Sequence, residues 1–150
     1  MILLKVANNW KQLEMMIKSA VNDALNDEIA KEVKKLQQEN VVETVYGAGT
    51  PEYYNRRDLT GGSLGDINMM VHDKPTNGVL EVKNIAKPSN RWRGRQYLVV
   101  PIEKGYADGK DWYSQPRRFI RDTREDLRAG KAVSALKRGL KKRLGSGSVV

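Results

Sequence analysis

No cysteine appears in the 150-residue chain, which excludes a disulfide framework, a thiolate metal site and a cysteine nucleophile together. His72 is the single histidine, so no multi-histidine metal centre can form. His72-Asp73 sits at an expected strand end, and no Gly-X-Ser-X-Gly motif accompanies it. No segment approaches the ~18 consecutive apolar residues of a membrane span, so no membrane partner is expected. The opening Met1-Ile2-Leu3-Leu4-Lys5-Val6 is too short for a signal-peptide core and has no basic start. We therefore expect a protein kept in a cytoplasm-like compartment, or built into a particle assembled there. No cofactor loop is legible: Gly61-Gly62-Ser63-Leu64-Gly65 has no Gly-Lys-Ser/Thr and no helix after it.

What the chain has in excess is positive charge. The formal net charge is +9, and residues 117–143 hold seven Arg and four Lys against Asp122, Glu125 and Asp126, a local net of +8. A patch of that kind favours a polyanion or an acidic protein surface, or serves as a solvated helix face. Its cations Lys137, Arg138, Lys141, Lys142 and Arg143 are expected on the outer side of the last helix, opposite Ala132, Val133, Leu136, Leu140 and Leu144.

Hydrophobic periodicity predicts the elements. Trp10, Leu13, Ile17, Val21, Ala24, Leu25, Ile29, Val33 and Leu36 recur at helical steps after Asn8 or Asn9, either of which can cap the start. Unbroken to Gln38, such a helix is ~45 Å long at 1.5 Å per residue. One end is then free to project or to pack on a neighbouring subunit. Val41, Val42, Thr44, Val45 and Tyr46 read as a strand. Residues 66–72 and 79–85 read as a hairpin across Asn77-Gly78, and 97–102 as a last strand. The basic loop Arg91-Trp92-Arg93-Gly94-Arg95 either covers an apolar edge or stacks on a base. Gln115-Pro116 opens a helix over 117–128, anchored by Phe119 and broken near Gly130, with a second piece to Leu144. The expected fold is α+β: a long N-terminal helix on an antiparallel sheet of about four strands, then a C-terminal helix or helical pair. Residues 1–144 form one domain in this reading, and 145–150 a flexible tail. Loops at 47–65 and 107–114 are candidates for ordering on assembly.

Ile102-Glu103-Lys104-Gly105, followed by Gln115-Pro116-Arg117-Arg118-Phe119-Ile120, resembles a family of tailed-phage proteins, the tail-completion or minor tail components of the head–tail junction. Tyr53-X-X-Arg56-Arg57 followed by Gly61-Gly62-Ser63-Leu64 is also similar to the middle of some phage connector proteins. The resemblance is close over the last third of the chain; elsewhere it extends to the order of elements. It implies a non-enzymatic structural protein of the virion, assembled in the host cytoplasm as a ring of identical subunits, six in number. Such a ring lies between tail-terminator, tail-tube or head-connector proteins and makes non-specific contact with DNA in its channel. Carried over onto this sequence, Glu103, Gly105, Trp112, Pro116, Arg117 and Phe119 become interface or structural positions. Glu103 and Arg117 hold a loop or a subunit contact, and Phe119 anchors the core.

Two other functions stay open. Asp66 with Glu81-Val82-Lys83 resembles the acidic–acidic–lysine signature of metal-dependent nucleases, in which two carboxylates hold Mg²⁺ and a lysine orients water. Glu81 and Lys83 share a strand face, but Gly65 precedes Asp66 where that class carries proline. A small basic DNA-binding protein using the C-terminal helix is the other alternative.

Overall fold

A computed structural model describes residues 8–46, 59, 62–87, 102–103, 106–108, 112–114 and 118–145. Helix dominates. Helix α1 spans Trp10–Ala24, the winding widens to π type over Leu25–Ile29, and α2 follows at Ala30–Asn40 before a second π-type stretch, Val41–Tyr46. Asn9 caps the start: its side-chain oxygen accepts from the Gln12 N–H at 2.9 Å, while Gln12 Oε1 accepts from the Asn8 N–H at 2.8 Å. One orphan donor of the first turn is thereby satisfied, and the side chain of that turn holds the N–H just before the cap.

The expected four-stranded sheet is not what forms. A short 3-10 turn at Ile67–Met69 leads into β1 (Met70–Val71), which pairs antiparallel with β2 (Lys83–Asn84) in the register Met70↔Asn84 and Val71↔Lys83. A separate antiparallel ladder joins β3 (Tyr106–Asp108) to β4 (Trp112–Ser114). The α+β assignment is therefore corrected: the described residues are mostly helical, with two short two-stranded ladders among them. Three local causes account for the difference. Val41–Tyr46 is helical because Val41 and Val45, four residues apart, reach one buried cluster, and burial outweighs a weak β preference. Residues 67–69 are drawn into the turn that Asp66 caps, which shortens the 66–72 strand to two residues. Within the expected 107–114 loop, residues on either side pair as the β3–β4 ladder. Ile102 and Glu103 are helical, while 97–101, the 91–95 loop, 47–58 and 146–150 lie outside the described residues.

Two compact units divide the chain. The first takes Met1–Val33, His72–Glu81 and Leu127–Val150. In it α1 packs on α4 (Ala132–Leu144), and the buried residues of these helices are small: Ala20 and Ala24 on one, Ala135 and Gly139 on the other. The 72–81 loop docks on α1 and the π-type turn through polar contacts. Gly78 N–H donates to Asn22 Oδ1 at 2.8 Å, His72 Nε2 lies 3.2 Å from Asn26 Oδ1, and Lys74 pairs with Asp23 at 3.8 Å. Gly78 takes φ 76°, which only glycine adopts cheaply and which makes the Asn-Gly turn.

The second unit takes Lys34–Val71 and Val82–Asp126. Its core is Val41, Val45, Leu64, Ala86 and Phe119, with Met69, Ile102 and Ile120 at the edge. Helix α3 (Phe119–Asp126) adds a polar seam: Asn40 Nδ2 donates to Thr123 Oγ1 at 3.1 Å and to Asp126 Oδ2 at 3.0 Å. Thr123 Oγ1 in turn donates to the Phe119 carbonyl at 2.7 Å, so a buried hydroxyl has both partners. Gly130, at φ 121°, ends the helical winding beyond α3 where the sequence predicts a break.

The α1–α4 crossing generates a prediction with a counter-intuitive sign. A Cβ on Gly139 would sit 2.7 Å from Ala24 Cβ, inside contact distance. Gly139→Ala improves helix propensity by about 1 kcal/mol but forces the helices apart, at a cost of about 1–3 kcal/mol. Urea denaturation should show net destabilisation; a more stable variant would mean the crossing yields freely.

Candidate interaction surfaces

Two of the carboxylates singled out by sequence, Asp66 and Glu103, build local structure. Asp66 is buried, and both its oxygens are occupied: Oδ2 accepts from the Gly62 N–H and Oδ1 from the Asn68 N–H, each at 2.9 Å. The Gly62 N–H first, and the Asn68 N–H after it, hold this carboxyl below the usual aspartate range. Lys83 lies in β2 opposite Val71, and Glu81 precedes that strand. Among the described residues, no group of three or more His, Asp or Glu is placed to hold a metal ion.

Glu103 does comparable work at the start of α3. Its Oε2 accepts from the Ile120 N–H at 2.9 Å and its Oε1 from the Arg121 N–H at 3.1 Å. A carboxylate there satisfies two orphan donors and faces the positive end of the helix dipole. The glutamate of the phage-like motif thus clamps the helix that the same motif begins. Phe119, next to the clamp, is fully buried in the core. Trp112 stands opposite Asp108 in the β3–β4 ladder, whereas Gly105, Pro116 and Arg117 lie outside the described residues.

The five cations assigned to the outer side of the last helix separate into three kinds. Arg143 is not on the outer side: its side chain is only 16% exposed, with Nη1 2.7 Å from Glu28 Oε2 and Nη2 2.7 Å from Asp27 Oδ2. Nη1 also donates to the Gly139 carbonyl at 2.9 Å, so the guanidinium lies along the helix crossing. Arg138 and Lys142 make looser, exposed pairs with Glu32 at 3.6 Å and Glu28 at 3.8 Å. Lys137 and Lys141 are exposed and have no partner among the described residues. The signal was present in sequence: Glu28 and Glu32 are four apart on one helix, as are Arg138 and Lys142 on the other. Without knowing that the helices meet, it could not be used.

A second surface is apolar. Trp10, Leu13 and Ile17 share one face of α1 with the buried Ala20 and Ala24, yet Trp10 is 85% exposed and the other two are exposed as well. The seam is covered where α4 crosses it and bare over its first two turns. No helix among the described residues is long and apolar enough to cross a membrane.

Comparison with known proteins gives this helical chain its relations. The SPbeta prophage-derived uncharacterized protein YomN of Bacillus subtilis (strain 168) is 30% identical over 146 residues, covering 91% of this chain and 95% of that protein. The relationship indicates a phage-derived protein. The YomN family model matches residues 9–142, and the chain belongs to the YomN family. No solved structure matches it.

Two outcomes follow for the carboxylates. Glu103→Ala should cost about 1 kcal/mol in urea denaturation, the scale of a lost helix cap, while the unit-two core stays folded by near-ultraviolet circular dichroism. Asp66 has a folded pKa below its unfolded value, so its contribution is complete above about pH 4 and disappears as pH falls through the folded value. Asp66→Asn should therefore be less stable than the parent at pH 7, with the gap closing in strong acid. A gap independent of pH would show that ionisation of this carboxyl is irrelevant to stability.

Proposed function

We propose that this protein is a non-enzymatic structural component of a tailed-phage particle, acting at the head–tail junction as a ring around the DNA channel. The observation that carries the proposal is the prophage-derived relative, which aligns over nearly the whole of both chains. The Glu103 and Pro116–Phe119 motif pattern, similar to tail-completion proteins, supplies the finer position. Two features of the molecule support a role in assembly. Asp66 has both oxygens taken by its own turn and Glu103 by a helix start, so they serve the fold. The bare Trp10–Leu13–Ile17 seam has the spacing of a helix-packing face, and the occupant that suits a ring is a second copy. A large exposed aromatic such as Trp10 is the usual anchor of such contacts.

In this reading the mechanism is assembly: subunits close through the apolar seam, and neighbouring rings stack on the closed one. Virion localisation, six-fold copy number and the neighbours follow from the junction assignment. The test is immunogold labelling and quantitative mass spectrometry of purified particles, with a deletion phage beside them. Label at the junction at about six copies per particle, and unjoined heads and tails from the deletion, are the expected results. A protein absent from particles whose deletion leaves normal virions would end the proposal.

A further inference from the structure

We infer that α4 carries a binding face for the phosphate backbone of duplex DNA, centred on Lys137 and Lys141. The inference assigns DNA contact to a particular face, which the assembly reading does not do, and it does not depend on that reading.

The α4 sequence, Ala132–Leu144, contains five cations and no carboxylate. Lys137 and Lys141 form an i, i+4 pair of like charge, as do Arg138 and Lys142, and such pairs weaken a helix. The Arg138–Lys142 row is compensated by Glu32 and Glu28 across the crossing. The Lys137–Lys141 row has no compensating carboxylate among the described residues. The helix dipole favours cations in the last turn, which accounts for Lys141, Lys142 and Arg143 but not for Lys137, nearly two turns from the end. A cost of this kind left unrelieved inside the protein points to a negative ligand outside it.

The chemistry of the face selects the ligand. Ser134, Lys137 and Lys141 share one side of the helix, all exposed, with the exposed Val133 at its edge, and α4 contains no aromatic residue and no methionine. Protein interfaces are depleted in lysine and enriched in aromatics, methionine and arginine. A lysine-and-serine face has the composition of a surface that meets phosphates without reading bases. Lys137 and Lys141 are about 6 Å apart along the helix axis, at 1.5 Å per residue. Each DNA strand offers a charge about every 3.4 Å of its own axis, so both ammonium groups can engage one strand. Arg138 and Lys142 flank them with side chains 60% and 72% exposed, and their loose pairs leave them able to turn outward. Arg143, held at 2.7 Å by two carboxylates, keeps to the crossing.

Binding of the full-length protein to a fluorescein-labelled mixed-sequence 30-base-pair duplex, followed by anisotropy from low to physiological salt, tests this. Four engaged cations predict a log–log salt slope of about −3.6 and equal affinity for a duplex of unrelated sequence. The double variant Lys137→Glu/Lys141→Glu should bind more than tenfold more weakly at low salt, with a slope shallower by about 2. Lys11→Glu/Lys31→Glu makes the same change of net charge at two other exposed lysines and should stay within about twofold of the parent. All four side chains are exposed, so circular dichroism should be unchanged in both variants. The inference is overturned by absence of duplex binding at low salt, by equal losses in the two variants, or by unchanged binding of Lys137→Glu/Lys141→Glu. Competition by poly-glutamate as effective as duplex at equal charge would overturn it in favour of an acidic protein partner.

Discussion

Gly139 brings α4 so close to α1 that a methyl group at this position would collide with Ala24, and the rest of the first unit depends on that approach. Small residues on both helices, Ala20 and Ala24 against Ala135 and Gly139, let the backbones come together and leave little side-chain volume to bury. Hydrophobic stabilisation scales with apolar area removed from water, so a crossing of alanine and glycine gains less from burial than one of leucines. Charge supplements it. Arg143 reaches along the crossing to Glu28, Asp27 and the Gly139 carbonyl, a geometry with two carboxylate partners and a backbone acceptor for one guanidinium. Arginine's planar fork suits this arrangement in a way lysine's point charge does not.

The second unit is organised differently, around one large side chain and the cap beside it. Phe119 fills the core between Val41, Val45 and Leu64, while Glu103 receives the first free N–H groups of the helix that Phe119 begins. Around them lies a set of satisfied polar contacts: Asn84 Nδ2 to the Leu64 carbonyl at 2.9 Å and to Gln37 Oε1 at 3.1 Å, and Gln38 Nε2 to the Gly65 carbonyl at 3.0 Å. The Asn84 contacts would be costly to break, because a buried amide left unpaired keeps its full desolvation penalty. Specific partners therefore bring the 62–66 turn, β2 and α2 together where apolar volume is scarce.

How much of this was legible in sequence depended on whether the deciding interaction was local. Asn9 as a cap, the Asn77-Gly78 turn and the break at Gly130 are each set within a few residues, and each was readable. Val41–Tyr46 was misread because its β-branched residues favour a strand locally, whereas the choice was made by Phe119 and Leu64, distant in sequence. Residues 107–114 read as a loop because the sequence between β3 and β4 carries no Asn-Gly signal as clear as the one at 77–78. Arg143 was placed outward by helical periodicity, which describes one helix at a time. Its burial follows from Asp27 and Glu28, more than a hundred positions away.

The same division explains why net charge understates the electropositive character of this protein's surface. Many of its acids are engaged in holding the fold: Asp66 in its turn, Glu103 on α3, Asp122 accepting from Thr44, Asp126 from Asn40, and Glu28 beneath Arg143. Glu28 and Glu32 are mostly screened from solvent, while the side chains of Arg138 and Lys142 that pair with them remain largely exposed. An ion pair that hides its carboxylate and shows its cation cancels charge in the total but not in the field a ligand meets at close range. The α4 surface therefore presents four outward cations from helix positions where counting alone would have subtracted two carboxylates. That asymmetry, more than the excess of nine charges over the whole chain, would draw a polyanion to this helix.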